Sequence, residues 1–181
     1  INLMEFLIDG RLSSIKYKIN SSVEHQKLIE KSFKSTKSTS LNVIDLLKSI
    51  DRADFVPENA FNIYSDSPLS IGWNTTISAP HMHIITLNYL SKYIDKFQRE
   101  NCILKGIDIG CGSGYMTLSL SKLLGPNSHV IGIDHVQEIL DFSKKNIEKR
   151  NSSFLERIKF VLKDGRFGHT EEGPYHIIHL G

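Results

Sequence analysis

The chain has 181 residues, of which 40% are apolar and 23% charged, and a net charge of +2 at pH 7. That composition describes one globular domain with enough core to fold alone and excludes a chain disordered throughout. Residues 1–40 hold seven Lys or Arg against four Asp or Glu, but no dense basic stripe interleaved with aromatics emerges, so no nucleic-acid partner is expected.

The opening run Ile1 to Ile8 is apolar yet too short and too acidic for a signal peptide, and no run approaches the roughly 20 residues of a membrane span. No membrane partner is expected. Cys102 and Cys111 fit no zinc spacing and would not make a disulfide framework, which points to a reducing compartment and a cytoplasmic location. Residues 1–40 read as an N-terminal extension, partly flexible, because Ser32 to Ser40 holds four Ser, two Thr and two Lys around one Phe; one short helix is expected near 23–33. Order is expected to begin near Leu41, where Leu41, Ile44, Leu47 and Val43, Leu46, Ile50 recur at helical spacing before Pro57 closes the element. Residues 58–80, dense in Asn, Ser, Pro and Gly, read as loop, and an irregular segment of that length inside a compact domain is usually functional or disordered.

A helix is expected from Pro80, with Ile84, Leu87, Leu90, Ile94 and Phe97 along one face and proline well placed in its first turn. Beyond it, strands near 103–109, 129–134, 157–163 and 175–180 alternate with helices over 114–124 and 136–150. Such alternation predicts right-handed crossovers and a doubly wound, mainly parallel sheet with helices on both faces. A sheet ending with the strand at 175–180 is unfinished, and the first residue is not Met, so the chain is expected to be part of a longer protein. A chain ending at Gly181 would expose that apolar strand as an edge and invite association, whereas the full-length protein is expected to be a monomer.

The stretch Gly106-Ile107-Asp108-Ile109-Gly110-Cys111-Gly112-Ser113-Gly114 follows an apolar run, and Val130-Ile131-Gly132-Ile133-Asp134 answers it twenty-four residues after Gly110. A glycine-rich loop between strand and helix lets backbone approach a nucleotide-like ligand, and an acid ending the next strand can accept from ribose hydroxyls. A dinucleotide fingerprint wants G-x-G-x-x-G aimed at a pyrophosphate; this loop reads D-x-G-x-G-x-G and carries Asp108 just upstream. A carboxylate suits a cationic ligand better, which points to S-adenosyl-L-methionine, with its ribose, adenine, ammonium and sulfonium but no phosphate. No metal site is expected: His81 and His83 are two apart on a helix, and His176 and His179 three apart on a strand, so neither pair shares a face. Cys111 reads as a small packing residue with no basic neighbour in sequence to favour a thiolate.

Three blocks go beyond a generic cofactor loop. They are Asp66 to Gly72 with Thr76-Ile77-Ser78-Ala79-Pro80-His81-Met82-His83, then Asp108 to Tyr115 with Val130 to His135, and Lys163-Asp164-Gly165-Arg166 with Pro174-Tyr175. In this combination and order the chain closely resembles the protein-L-isoaspartate O-methyltransferase family, over about residues 41–181 and more weakly His25 to Ile29. The resemblance implies a Rossmann-like class I methyltransferase domain over 41–181, incomplete at its C-terminus. It also implies methylation of the free α-carboxyl of isoaspartyl residues in damaged proteins and peptides, with S-adenosyl-L-homocysteine as the product of the cofactor. His176, Leu69 and His169 stand where the family commonly has Asp, Gln and Tyr.

Carried over residue by residue, the resemblance makes Ser78 the active-site serine, assisted by Thr76. Asp108, Gly110, Gly112 and Gly114 shape the methionine end of the cofactor, Asp134 meets the ribose with His135 beside it, and Asp164 with Gly165 meets the adenine edge. Ile71, Gly72, Trp73, Asn74 and His83 match further cofactor contacts, and Asp66 and Ser67 begin the loop that cups the substrate. The chemistry agrees with the residues: a carboxylate with a pKa of roughly 4 is ionised at neutral pH and needs no general base, only positioning and exclusion of water. Ser78 precedes a proline-started helix whose orphan N–H groups would favour an anion, although a serine there can also be a mere N-cap. Two other readings remain open on these residues: another class I methyltransferase acting on a nitrogen or a small molecule, and a non-catalytic cofactor-binding protein.

Overall fold

A computed structural model describes residues 16–38, 40–98 and 103–181 of the chain. Cys102 and the segment Ile1 to Ile8 lie outside the described residues. Helix α1 (Val23–Ser35) starts where the Ser22 hydroxyl accepts a hydrogen bond from the His25 backbone N–H at 3.2 Å, the usual role of serine at an N-cap. Its buried residues His25, Leu28, Ile29 and Ser32 follow the i, i+3, i+4, i+7 spacing of one helix face. Ile29 joins Val43, Leu46 and Leu47 of helix α2 (Leu41–Lys48) in the main core. The helix expected near 23–33 is present as α1, and it packs into the core ahead of the expected start of order at Leu41.

After α2 the chain makes one 3-10 turn, Arg52–Phe55, capped by Asp51. Asp51 is a junction: its carboxylate accepts from the Ser22 N–H at 2.7 Å, the Ala53 N–H at 3.1 Å and the Tyr64 hydroxyl at 3.0 Å. It thereby ties α1, the turn and the following loop together. The expected loop over 58–80 contains a hairpin, β1 (Leu69–Gly72) and β2 (Thr75–Ile77), paired antiparallel. Trp73 and Asn74 at its tip both have positive φ, as a two-residue hairpin turn with right-handed strand twist requires. The dense polar residues hide this pairing, which rests on only seven strand residues and on packing against the body.

Helix α3 (Pro80–Gln98) buries Ile84, Leu87 and Ile94, as its apolar spacing predicts. Then follow β3 (Leu104–Ile109), α4 (Tyr115–Leu124), β4 (Ser128–Asp134), α5 (Gln137–Asn151), β5 (Ile158–Leu162) and β6 (Ile177–Leu180). The four strands from β3 to β6 form one parallel sheet in the order β5-β4-β3-β6, flanked by helices. Every residue of α4 is buried, which makes this helix the centre of the packing; each fully buried Leu there contributes roughly 1.5–3 kcal/mol relative to exposure. The chain runs outward from β3 through β4 to β5 and then returns to β6 on the far side of β3. Where strand order reverses, neighbouring connections leave in opposite directions and a crevice opens at the carboxyl ends of the strands. Gly110 after β3 and Gly181 after β6 stand at that point, with the Gly181 N–H on the Ile109 carbonyl at 2.8 Å. No helix among the described residues is long and apolar enough to cross a membrane.

His25, fully buried, ties α1 to α2. Its Nδ1 accepts from the Arg52 backbone N–H at 3.4 Å, so Nε2 carries the proton and donates to the Leu47 carbonyl at 3.0 Å. Burial holds its pKa below the ordinary 6.5. Below that pH the unfolded chain binds a proton that the folded chain refuses, so folding stability falls as pH drops through this window. Urea denaturation between pH 7 and 5 should show this slope, and His25→Gln should flatten it by up to about 1.4 kcal/mol per pH unit; an unaltered slope would contradict the buried neutral imidazole.

Candidate active site

The loop after β3 is built on glycines because its backbone must turn where side chains cannot follow. Gly112 and Gly114 have φ of +53° and +82°, and a Cβ on Gly114 would sit 3.1 Å from Ser143 Cβ of α5. From beneath, α5 holds the loop: the Ser143 hydroxyl donates to the Gly112 carbonyl at 2.5 Å and Asn146 Nδ2 to the Ser113 carbonyl at 3.1 Å. Asp134, at the end of β4, accepts from the Gly112 N–H at 3.3 Å and from the His135 and Val136 N–H groups at 2.8 and 3.3 Å. Oδ2, which accepts only the Gly112 N–H, keeps acceptor capacity, as a ribose contact needs, and the largely exposed His135 side chain lies beside the carboxylate. Asp108 is placed differently. It is fully buried beneath the loop, with its carboxylate on Thr117 Oγ1 at 2.5 Å and His179 Nδ1 at 2.7 Å, so its charge reaches the site from below.

The hairpin lies over this loop. A Cβ on Gly112 would lie 3.7 Å from Thr75 Cγ2 and 3.9 Å from Ile71 Cδ1, which places β1 and β2 against the glycines. Trp73, at the tip, leans towards Phe142 of α5 with ring centroids 5.9 Å apart, while Gly72, Asn74 and Thr76 are exposed. On the other flank, Gly165 presses on the end of β3, where a Cβ would collide with Ile109 Cγ2. Asp164 caps the turn Gly165–Phe167, and the Arg166 guanidinium beside it holds its carboxyl down to about 2.

Ser78 follows β2 and is half-buried. It is not the helix cap, because the Ala79 carbonyl accepts the first helical bonds, from the Met82 N–H at 3.0 Å and the His83 N–H at 3.4 Å. The mouth of α3 is also not free for a substrate anion, as the orphan donors expected there would have allowed. Pro80 has no N–H, and Asp66 accepts from the His81 N–H and from His81 Nδ1, both at 2.9 Å. The protein's own carboxylate takes that position, and Asp66 thereby pins the loop before β1 to α3. Ser67 follows directly, with its hydroxyl 2.7 Å from that of Ser65. His83 is buried against Tyr115, ring centroids 4.8 Å apart, with Nε2 unpartnered. Burial, then Arg52 and His179, lower its pKa to about 3, so the ring is neutral near pH 7 and presents one polar nitrogen without a protein partner.

Sequence reasoning passed over Arg52, which is 1% exposed. Its Nη1 donates to the Ser78 carbonyl at 2.8 Å and its Nη2 to the Ser67 carbonyl at 3.0 Å. A charged pair, Asp51-Arg52, set between apolar Ile50 and Phe55-Val56 was the available signal, since charges in a core-forming stretch must be satisfied there. The site therefore has two electrical ends. Burial, followed by the charges of Asp108 and Asp134, pushes the Cys111 thiol up, which marks a negative field at the glycine loop, while the guanidinium stands behind Ser78. Gly165→Ala should lose about 1–3 kcal/mol in urea denaturation through overpacking against Ile109 and weaken S-adenosyl-L-homocysteine binding in calorimetry. If neither changed, Gly165 would not be seated at the end of β3.

Residues 23–181 match the family model of protein-L-isoaspartate(D-aspartate) O-methyltransferase (PCMT). A protein-L-isoaspartate O-methyltransferase of Caenorhabditis elegans is 41% identical over 139 residues, covering 76% of this chain and 58% of the relative. One of Triticum aestivum is 39% identical over 142 residues, covering 77% and 59%. A Plasmodium falciparum crystal structure described as such an enzyme in complex with S-adenosyl-L-homocysteine superposes with a TM-score of 0.72 at 30% identity, covering 87% of this chain and 72% of that one. The chain thus spans somewhat under three fifths of the length of these two curated relatives. With its sheet order, glycine loop and hairpin, this chain belongs to the protein-L-isoaspartate O-methyltransferase family and has the Rossmann-like class I methyltransferase fold.

Proposed function

We propose that this protein is a repair enzyme that transfers a methyl group from S-adenosyl-L-methionine to the free α-carboxyl of L-isoaspartyl residues in damaged proteins and peptides. The observation that carries the reading is the packing of Ile71 and Thr75 over Gly112, which sets the strand leading to Ser78 against the glycine loop. The residues fit the cofactor: positive-φ glycines make a cradle that side chains would fill, Asp134 keeps acceptor capacity, and His83 Nε2 is buried without a partner. When bound there, the cofactor supplies an electrophilic methyl on a sulfonium, and the buried Asp108 and Asp134 favour such a cation.

On the acceptor side the chain has little chemistry to perform. The nucleophile is an ionised carboxylate that requires no base. Ser78 donates a neutral hydrogen bond, which orients an oxygen without quenching its charge as a lysine would. Thr76, two residues earlier on β2, assists, and the hairpin excludes water. The names of the relatives support the substrate class, and the partly exposed run from Asp66 to Ser70, tied to Ser78 through Arg52, suits an accessible peptide segment.

The test is methyl transfer by the full-length protein to an isoaspartyl peptide, with its aspartyl twin as control. Base-labile methyl on the isoaspartyl peptide alone is expected. Base-stable methyl would indicate nitrogen methylation, and cofactor binding with no transfer would indicate a non-catalytic protein. Ser78→Ala should lower turnover by about 10- to 1,000-fold while S-adenosyl-L-homocysteine affinity persists; unchanged turnover would remove Ser78 from the reaction.

A further inference from the structure

Arg52 is a charge in an unusual position. It is 1% exposed, its Nε is buried with no hydrogen-bond partner, and among the described residues it forms no ion pair. Asp66, hydrogen-bonded to His81, favours the charged guanidinium only through space. A buried cation without a hydrogen-bonded counter-ion is costly, and replacing such a group by an apolar one is often stabilising. A structural clamp on two carbonyls does not by itself require a full charge. The two carbonyls it grips belong to Ser67, in the loop before β1, and Ser78, just after β2, eleven residues apart in sequence. The mouth of α3, the other candidate source of positive potential, is neutralised by Asp66.

We propose that Arg52 is the positioning residue of the acceptor site: its planar fork fixes the distance between the Ser67 and Ser78 segments, and its positive charge behind them makes the acceptor site select an anionic carboxylate. The proposal rests on the methyl-transfer reading above. Arg52 acts through the two backbone carbonyls and through its field, not by touching the substrate. A guanidinium suits this task where an ammonium does not, because its donors hold a fixed angle and can serve two acceptors at once.

The experiment compares wild type, Arg52→Met and Arg52→Lys in the full-length protein. It reads S-adenosyl-L-homocysteine affinity by calorimetry, thermal unfolding, and kcat and KM on an isoaspartyl peptide. Arg52→Met should lower kcat/KM by about 100-fold or more, with S-adenosyl-L-homocysteine affinity held within about threefold. Arg52→Lys restores the charge but not the fork, so KM should return to within about threefold of wild type while kcat stays down by about tenfold. If Arg52→Met does not fold, the split between kcat and KM in Arg52→Lys decides. The proposal is overturned if kcat/KM survives in Arg52→Met, if affinity for S-adenosyl-L-homocysteine falls in step with it, or if Arg52→Lys shows no such split. A wild-type protein that binds S-adenosyl-L-homocysteine but leaves the peptide unmodified overturns the functional reading and this proposal with it. An active wild type with an equally active Arg52→Met overturns the proposal alone.

Discussion

Buried charge must be answered, and this molecule is organised around two places where it is. Beneath the glycine loop, Asp134 gathers the N–H groups of Gly112, His135 and Val136, while Asp108 is held between Thr117 and His179. Across the cleft, Arg52 gathers the carbonyls of Ser67 and Ser78. Asp134 and Arg52 satisfy themselves with backbone groups and Asp108 with side chains, so the cost of burying the charge is converted into order where a ligand has to be placed. The glycine loop, the turn after β4 and the hairpin flank are thus held by the same requirement.

The sign of each charge matters as much as its bonds. A negative end at the glycine loop and a positive end behind Ser78 suit a reaction between a cationic methyl donor and an anionic acceptor. Because Asp108, Asp134 and Arg52 are buried, their fields are screened less than those of exposed charges. Asp66 shows the same economy. By capping α3 it removes the helix mouth as an anion site, and its charge helps to keep the guanidinium behind Ser78 protonated.

The repeating strand and helix units were legible because parallel strands buried on both faces read as apolar runs, and the D-x-G-x-G-x-G loop announced its own strand-to-helix turn. Helix α3 was legible from Pro80 and the spacing of Ile84, Leu87 and Ile94. Less legible were features whose stability is non-local. The hairpin over 69–77 has strands of four and three residues, too short for periodicity to show, and it exists because Ile71 and Ile77 are buried against the body. Helix α1 is expected from the sequence, but its Ser- and Lys-rich surroundings hide that its inward residues join the main core. The role of Asp66 depends on a partner fifteen residues away, and that of Arg52 on two acceptors brought together only by folding. The block around Ser78 singles that residue out as a candidate but does not show its setting: the expected helix mouth is occupied by Asp66, and a buried guanidinium lies on the Ser78 carbonyl.

The central claim is that the glycine loop and Ser78 face one cleft in which a cationic donor meets an anionic acceptor. A crystal structure of the full-length protein with S-adenosyl-L-homocysteine and an isoaspartyl peptide measures this directly. The expected density shows the ribose on Asp134, the sulfur turned towards Ser78, and the isoaspartyl carboxylate on the Ser78 hydroxyl between the Ser67 and Ser78 segments. A sulfur pointing away from Ser78, or a peptide bound with its carboxylate outside that cleft, would contradict it.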